Sequence, residues 1–266
     1  MNDKINHLIK DYVSNYKDLK DTETDWRDPV IGIADADDPM FSELKEVISS
    51  SHALPTDFID DAKSVIVFFL PFEEEVVKSN IQNKQSSKKW DYAKIETNNL
   101  IEDLIDYMQA EIEKMGYKAT SSKDLPPTYN YDEEELISDW SHRHVGYITG
   151  MGTFGINNMF ITDQGSCGRM GSIVTNLSLK PTERDDQENC LYKYNGKCKA
   201  CINRCVVNAI STENEDGFVD REKCYEHIYE DPPEYSKGVG DACGKCKSGV
   251  PCSMTNPVKE LIKKDN

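Results

Sequence analysis

The stretch Cys190-Leu-Tyr-Lys-Tyr-Asn-Gly-Lys-Cys198-Lys-Ala-Cys201-Ile-Asn-Arg-Cys205-Val-Val-Asn-Ala209-Ile210 decides how this 266-residue chain is read. It carries four of the nine cysteines, and Cys224, Cys243, Cys246 and Cys252 follow it. Eight cysteines in one tail make two sets of four, and thiolates hold iron–sulfur clusters in fours. The opening Met1-Asn-Asp-Lys-Ile-Asn-His7 lacks an apolar core, and the longest apolar run, Val65 to Leu70, is far short of a membrane span. A cytoplasmic protein with no membrane partner is expected, in a reducing compartment where metal ligation outweighs a disulfide framework.

In two-cluster ferredoxins the run C-x2-C-x2-C-x3-C-P gives its fourth cysteine to the other cluster. Here Cys198, Cys201 and Cys205 reproduce its last three members, the first is displaced upstream to Cys190, and Val206 stands in place of the proline. The spacing assigns Cys190, Cys198, Cys201 and distant Cys252 to one 4Fe-4S cluster, and Cys205, Cys224, Cys243 and Cys246 to a second. Cys201 and Cys205 lie about one helical turn apart yet serve different clusters, so the two centres are close neighbours. A zinc module on the pairs Cys198/Cys201 and Cys243/Cys246, or a set of unligated thiols, is the alternative; zinc leaves four cysteines unexplained. Cys167, in Gly165-Ser-Cys-Gly168-Arg169, stands apart as either a buried thiol or a group lining an active cavity beside Arg169.

Upstream, Ile5, Ile9, Val13 and Tyr16 recur at helical spacing and predict an opening amphipathic helix. A strand follows at Val30 to Ala34, then a short helix capped by Asp38, with Pro39 at its first position and Phe41, Leu44, Val47 and Ile48 as its buried stripe. Ser64 to Leu70 reads as a central strand ended by Pro71. Glu74 to Lys89 is a polar loop or broken helix, and Asp91 to Met115 is a long helix that Gly116 ends. Asp132 with Glu135 caps a further helix through Leu136, Trp140 and His144 towards Gly150. Strands are expected at Met159 to Thr162 and Ser172 to Leu179.

Gly150-Met-Gly152-Thr-Phe-Gly155 satisfies G-x-G-x-x-G, but a helical pattern enters it and a strand leaves it, the reverse of a Rossmann fingerprint. It is a tight structural turn or a backbone surface that a flat cofactor approaches. Just before it, Trp140-Ser-His142-Arg143-His144 holds two of the five histidines, which two apart on a helix point in different directions. His142 and His144 are candidate catalytic groups with Asp139; the alternatives are hydrogen-bonded structural histidines and an Asp139–Arg143 surface ion pair. The formal net charge of −17 gives no reason to expect a phosphate-neutralising face, so nucleic acid is an unlikely partner.

The segment Thr149-Gly-Met-Gly-Thr-Phe-Gly-Ile-Asn157-Asn-Met-Phe-Ile161 is similar to the A-G-L-G-W-I-G-K-N-T-L-L-I of the epoxyqueuosine reductase family. Gly171-Ser-Ile-Val-Thr-Asn-Leu177 and Cys224-Tyr-Glu-His-Ile-Tyr-Glu230 resemble further motifs of that family and, more distantly, of the reductive dehalogenases. The clear similarity covers about residues 140–256. It implies an α+β chain: a nitroreductase-like α/β domain at 1–182 that cradles a corrinoid (cobalamin), then a ferredoxin-like double-cluster domain at 183–266. Gly150, Gly152, Gly155, Asn157, Cys167 and Arg169 are the implied cofactor-binding residues. The implied partners are an electron donor such as ferredoxin or flavodoxin, and a small-molecule substrate or a corrinoid protein. The family's loop lysine is Ile156 here, its Trp-Ile pair is Thr153-Phe154, and its proton-donating aspartate aligns with no position. The helical extension that many members use for tRNA does not follow Met254. A ferredoxin-like carrier without its own catalytic cofactor, and epoxyqueuosine-tRNA reduction itself, are the rival readings.

Overall fold

A computed structural model describes residues 1–125, 131–132, 136–213 and 217–265. Helix α1 (Asn2–Lys20) buries Ile5, Ile9, Val13 and Tyr16, the stripe its periodicity predicts. Strand β1 (Val30–Asp35) leads to Asp38, whose Oδ1 accepts from Met40 N at 3.0 Å and starts α2 (Met40–Val47). That helix buries Phe41 and Leu44, while Val47, expected inside, faces solvent. After α3 (Pro55–Phe58), β2 (Ser64–Pro71) is buried at every residue, as an unbroken apolar run in a central strand should be. The polar stretch after it yields a short α4 (Glu74–Ser79), and α5 (Lys88–Lys114) begins where Ser87 Oγ accepts from Trp90 N at 3.1 Å. Gly116, at φ 87°, takes the left-handed turn that releases the chain.

Strand β3 (Ala119–Thr120) is followed by a short antiparallel pair, β4 (Tyr131–Asp132) and β5 (Ile137–Ser138). This corrects the helix expected from Asp132: Leu136 sits at φ 54°, a conformation no helix interior tolerates, and α6 (His142–Ile148) starts only at His142. Glu135, the expected capping partner, lies outside the described residues. The glycine segment then forms a hairpin, β6 (Gly152–Phe154) against β7 (Phe160–Thr162), before β8 (Gly168–Thr175).

The main sheet runs β1-β2-β8-β3, antiparallel throughout. Alternation along β2 sorts the core into two layers: Ile66, Phe68 and Leu70 meet α1 and α5, while Val65, Val67 and Phe69 meet α2 and α6. The tail adds α7 (Leu191–Asn195), α8 (Ala200–Arg204), α9 (Arg221–Tyr229), the hairpin β9 (Glu234–Tyr235) with β10 (Gly238–Val239), and α10 (Pro257–Asp265). Among the described residues no helix is long and apolar enough to cross a membrane.

A buried lysine docks the tail on the layered part. Lys245 Nζ donates to Asn80 O at 3.0 Å, Asn80 Oδ1 at 3.1 Å and Gln82 O at 2.8 Å. Asn80 Nδ2 in turn donates to Cys243 O at 2.9 Å, and Arg204 Nη2 donates to Ile81 O at 2.9 Å. Removing the ammonium strands buried acceptors whose desolvation is uncompensated, so Lys245→Met should destabilise the chain by on the order of 3 kcal/mol. Urea unfolding followed by circular dichroism checks this, and an unchanged midpoint contradicts it.

Candidate functional site

The tail brings its eight cysteines into two groups. Cys190 caps α7, Cys201 lies in α8, and with Cys198 and Cys252 they line one cavity against Gly155, Ile156 and Ile161 of the β6–β7 hairpin. Cys205 closes α8 and Cys224 lies on α9. The second group shows in the electrostatics: after burial, the charges of Cys243 and Cys205 push the Cys224 thiol up, to about 11. In the first group burial, then Cys190 and Cys198, raise Cys201 to about 11, and burial, then Cys190 and Cys201, raise Cys252 to about 12. Cys246 is raised by burial and by Cys243, Cys224 and Cys201, so it stands where the two groups meet.

Thiols this desolvated become thiolates only against a cationic centre, which is the chemistry an iron–sulfur cluster supplies. Backbone donors suit that centre too: Ala209 N donates to Cys205 Sγ at 3.1 Å. Among the described residues no three or more His, Cys, Asp or Glu side chains are placed to hold a metal ion. The first four thiols surround a cavity and are not drawn onto one point.

Near Cys246, at the end of the sheet, the charge of Arg169 acts on both His142 and Lys247. His142, Arg169 and Lys247 each keep part of their surface open, yet burial lowers the pKa of all three. His142 Nδ1 is 3.0 Å from Ser172 Oγ, which already accepts from Trp140 Nε1 at 2.8 Å. An indole nitrogen only donates, and the serine oxygen keeps a second lone pair and its own proton for the imidazole, so the contact suits either neutral tautomer of His142. Burial and then Arg169 push His142 down to about 4, so the ring is neutral at physiological pH.

The other expected site residues are placed differently. His144 pairs with Ser141 Oγ at 2.7 Å and packs on Phe154; burial and Arg143 bring it to about 4. Asp139 Oδ1 accepts from Ser51 Oγ at 2.5 Å and its carbonyl accepts from Ala53 N, tying it to the 49–53 turn. The room beside each loop glycine is taken by protein: Arg184 and Glu183 at Gly150, the Ile161 backbone at Gly152 and the Asn157 amide at Gly155. Gly150 and Gly152 nevertheless line one cavity, with Tyr147, Arg184 and Lys259, and Gly155 lines the cavity of the first cysteine group. Asn157 Nδ2 donates to Cys246 O at 3.1 Å, holding a cysteine loop. Cys167 is fully buried, donates to Lys247 O at 3.0 Å and is raised to about 11 by burial. Of the six implied cofactor residues, Gly150 and Gly152 line one cavity, Gly155 and Asn157 another, and Arg169 is partly exposed.

Ser172, Lys247 and His52 were not singled out by sequence. His52 Nε2 accepts from Ser141 N at 3.1 Å and sets the entry to α6. A serine in a strand and a histidine in a turn carry no motif; the Lys245/Lys247 alternation around Cys246 was the one available signal.

No family model matches the chain. Epoxyqueuosine reductase of Vibrio cholerae is 24% identical over 179 residues, 64% of this chain and 42% of that one. Among solved structures, epoxyqueuosine reductase from Streptococcus thermophilus aligns over 92% of this chain and 66% of its own, at 17% identity and a TM-score of 0.53. The catabolic reductive dehalogenase NpRdhA aligns over 86% and 30%, at 19% identity and a TM-score of 0.56. The fold is that of the epoxyqueuosine reductases and reductive dehalogenases. The resemblance read from Thr149 to Ile161 and the cysteine spacing thus holds, although this chain spans less than half of the curated relative it matches. Another epoxyqueuosine reductase structure contains an epoxyqueuosine-modified tRNA stem loop, a partner that the acidity of the present chain does not by itself exclude.

His142 and His144 make stability depend on pH. Unfolded, each takes up a proton near 6.5; folded, only near 4. The unfolded state binds more protons between those values, so stability falls as pH drops through that window. Denaturation midpoints should decline there, and less steeply in His142→Gln; equal slopes in the two proteins contradict this account.

Proposed function

We propose that the protein is an iron–sulfur oxidoreductase that passes electrons through two 4Fe-4S clusters to a corrinoid, cobalamin or a similar cofactor. The reaction is a reduction of a small molecule or of a partner-bound corrinoid. The observation that carries this reading is the grouping of the eight cysteines, with Cys246 between the groups and beside Lys247. Cys190, Cys198, Cys201 and Cys252 hold one cluster, and Cys205, Cys224, Cys243 and Cys246 the other. Residues 1–182 form the cofactor-binding domain and 183–266 the electron-delivering one. A ferredoxin or flavodoxin is the electron source.

The residues present fit a bound cofactor. His142, Arg169 and Lys247 each keep open surface, and a corrinoid would supply a strongly reducing cobalt. The chain's own part is separate. His142 is a neutral imidazole held by Ser172, which Trp140 also bonds, and Arg169 supplies fixed positive charge. The β6–β7 hairpin packs Ile156 and Ile161 against the first cysteine group, which keeps water from it. Epoxyqueuosine-tRNA reduction is the second reading, favoured by the Vibrio cholerae relative and the tRNA-bound structure.

Two measurements test this. Replacing Cys201 by Ser should damage one cluster and replacing Cys205 the other; iron analysis with both variants emptying the same cluster contradicts the pairing. In an anaerobic ultraviolet–visible titration with cobalamin, the reconstituted chain should hold about eight irons and take up cobalt stoichiometrically. Eight irons with no cobalt uptake would instead make the protein an electron carrier.

A further inference from the structure

The chain carries 48 acidic and 31 basic residues, yet Asn189 to Thr212 contains no Asp or Glu and holds Lys193, Lys197, Lys199 and Arg204. The fold divides these four cations. Arg204 turns inward, its Nε donating to Lys245 O at 3.1 Å and its Nη2 to Ile81 O at 2.9 Å. Lys193, Lys197 and Lys199 are exposed and share one short stretch: α7, the left-handed turn at Gly196 and the residue that caps α8. Among the described residues Lys197 and Lys199 have no ion pair, and Lys193 Nζ meets Glu188 at 3.7 Å. Asn195 Oδ1 accepts from Lys197 N at 3.1 Å and holds the turn. A Cβ at Gly196 would meet nothing within 4 Å, so the turn stands clear of the rest of the protein. Tyr194, beside it, is 45% exposed.

The inner side of the same stretch belongs to the first cysteine group. Tyr192 packs edge-on against Phe218, ring centres 6.0 Å apart, and both join the apolar cluster of Cys190, Cys201 and Ile156. Leu191, Cys198 and Ala200 line one cavity with Cys190, Cys201 and Cys252. Cys198, between Lys197 and Lys199, keeps part of its surface open. One segment therefore carries thiols and apolar walls inside, and a basic face with an exposed aromatic ring outside.

A chain with a formal net charge of −17 repels other acidic proteins at long range. At physiological ionic strength charges act over only about 8 Å, so a partner in contact meets the local lysines and not the sum. Redox encounters bury less than about 1,200 Å² and are oriented largely by charge, which a face of this size can supply. A long polyanion would run onto Glu188, which already borders the face, with Asp185 and Asp186 just before it in the chain. A compact protein need not. We propose that the face of Lys193, Tyr194, Lys197 and Lys199 is the docking surface of a small acidic electron-carrier protein. This rests on the reading of the chain as an iron–sulfur oxidoreductase. Each encounter moves one electron: the carrier is oxidised by one, the cluster on Cys190, Cys198, Cys201 and Cys252 is reduced by one, and no bond is made or broken.

The test uses the full chain reconstituted with iron and sulfide, and an acidic plant-type 2Fe-2S ferredoxin as the probe. Stopped-flow absorbance follows reduction of the chain by reduced ferredoxin, and calorimetry follows binding of the oxidised form; both should weaken as salt is added. The triple variant Lys193→Glu, Lys197→Glu, Lys199→Glu should lower the bimolecular rate by roughly tenfold or more at low salt, with a smaller difference at high salt. The milder Lys197→Gln, Lys199→Gln pair should fall between it and wild type. Lys4→Glu, Lys10→Glu and Lys17→Glu together, on the exposed side of α1, change the net charge equally and should leave the rate near the wild-type value. Photoreduced deazaflavin, which needs no docking, should reduce every variant as fast as wild type, and equal iron content excludes a folding defect. Equal ferredoxin rates in wild type and the α7–α8 triple variant, an equal loss in both triple variants, or no reduction of wild type by ferredoxin while deazaflavin reduces it, overturns the proposal. Binding of an RNA stem loop that these lysines control, with ferredoxin reduction unaffected by them, assigns the face to nucleic acid and overturns it too. A chain that takes up no iron, yet loses ferredoxin binding in the triple variant, ends the oxidoreductase reading and leaves the docking surface standing.

Discussion

An ammonium group, Lys245 Nζ, sits wholly buried between two cysteine positions with three oxygen acceptors around it. A charge survives there because each of its protons is taken, two by Asn80 and one by Gln82. The same turn holds Cys243 and Cys246, so the contacts that satisfy the lysine also fix where those thiols stand relative to the sheet. Gly244 deepens the seat: the Trp90 ring occupies the space a Cβ would need. Asn157 and Asn80 reach across the same boundary to carbonyls of Cys246 and Cys243, and Arg204 reaches back to Ile81 O. The cysteine tail is therefore locked to the layered part by a network of polar contacts.

That lock explains why Arg169 and the thiols belong to one device. Lys247 follows Cys246 directly, and its ammonium bonds the backbone at Gly168, next to Arg169 on β8. The strand that carries Arg169 also carries Ser172, which orders His142. Three residues of β8 thus bind the end of the tail, the charge of Arg169 and the imidazole together. A disturbance of the tail is felt at Arg169 through a few bonds, with no long path between.

Much of the fold was legible because local pattern and tertiary role agree. The apolar run of β2, the stripe of α1 and the long face of α5 each report burial that the structure repeats. Around Leu136 pattern misled: Leu136, Trp140 and His144 recur at helical spacing, but a left-handed Leu136 and the β4–β5 pair interrupt it. The glycine segment was legible in what it is not, since its hairpin excludes a dinucleotide turn. Its packing against Arg184 and Ile161 depends on chain far away and has no local signal. Spacing gave each cysteine a proposed place, whereas Ser172 and the Lys245–Asn80 contact, 165 residues apart, left no trace in it.

The proposed function requires two iron–sulfur clusters held side by side by crossed sets of cysteines. Electron paramagnetic resonance of the reconstituted, fully reduced chain tests that claim most directly. Two reduced clusters as near as Cys201 and Cys205 require should give a broadened spectrum split by magnetic coupling between them. A single uncoupled signal, or stoichiometric zinc with no iron signal in protein purified anaerobically, would contradict it.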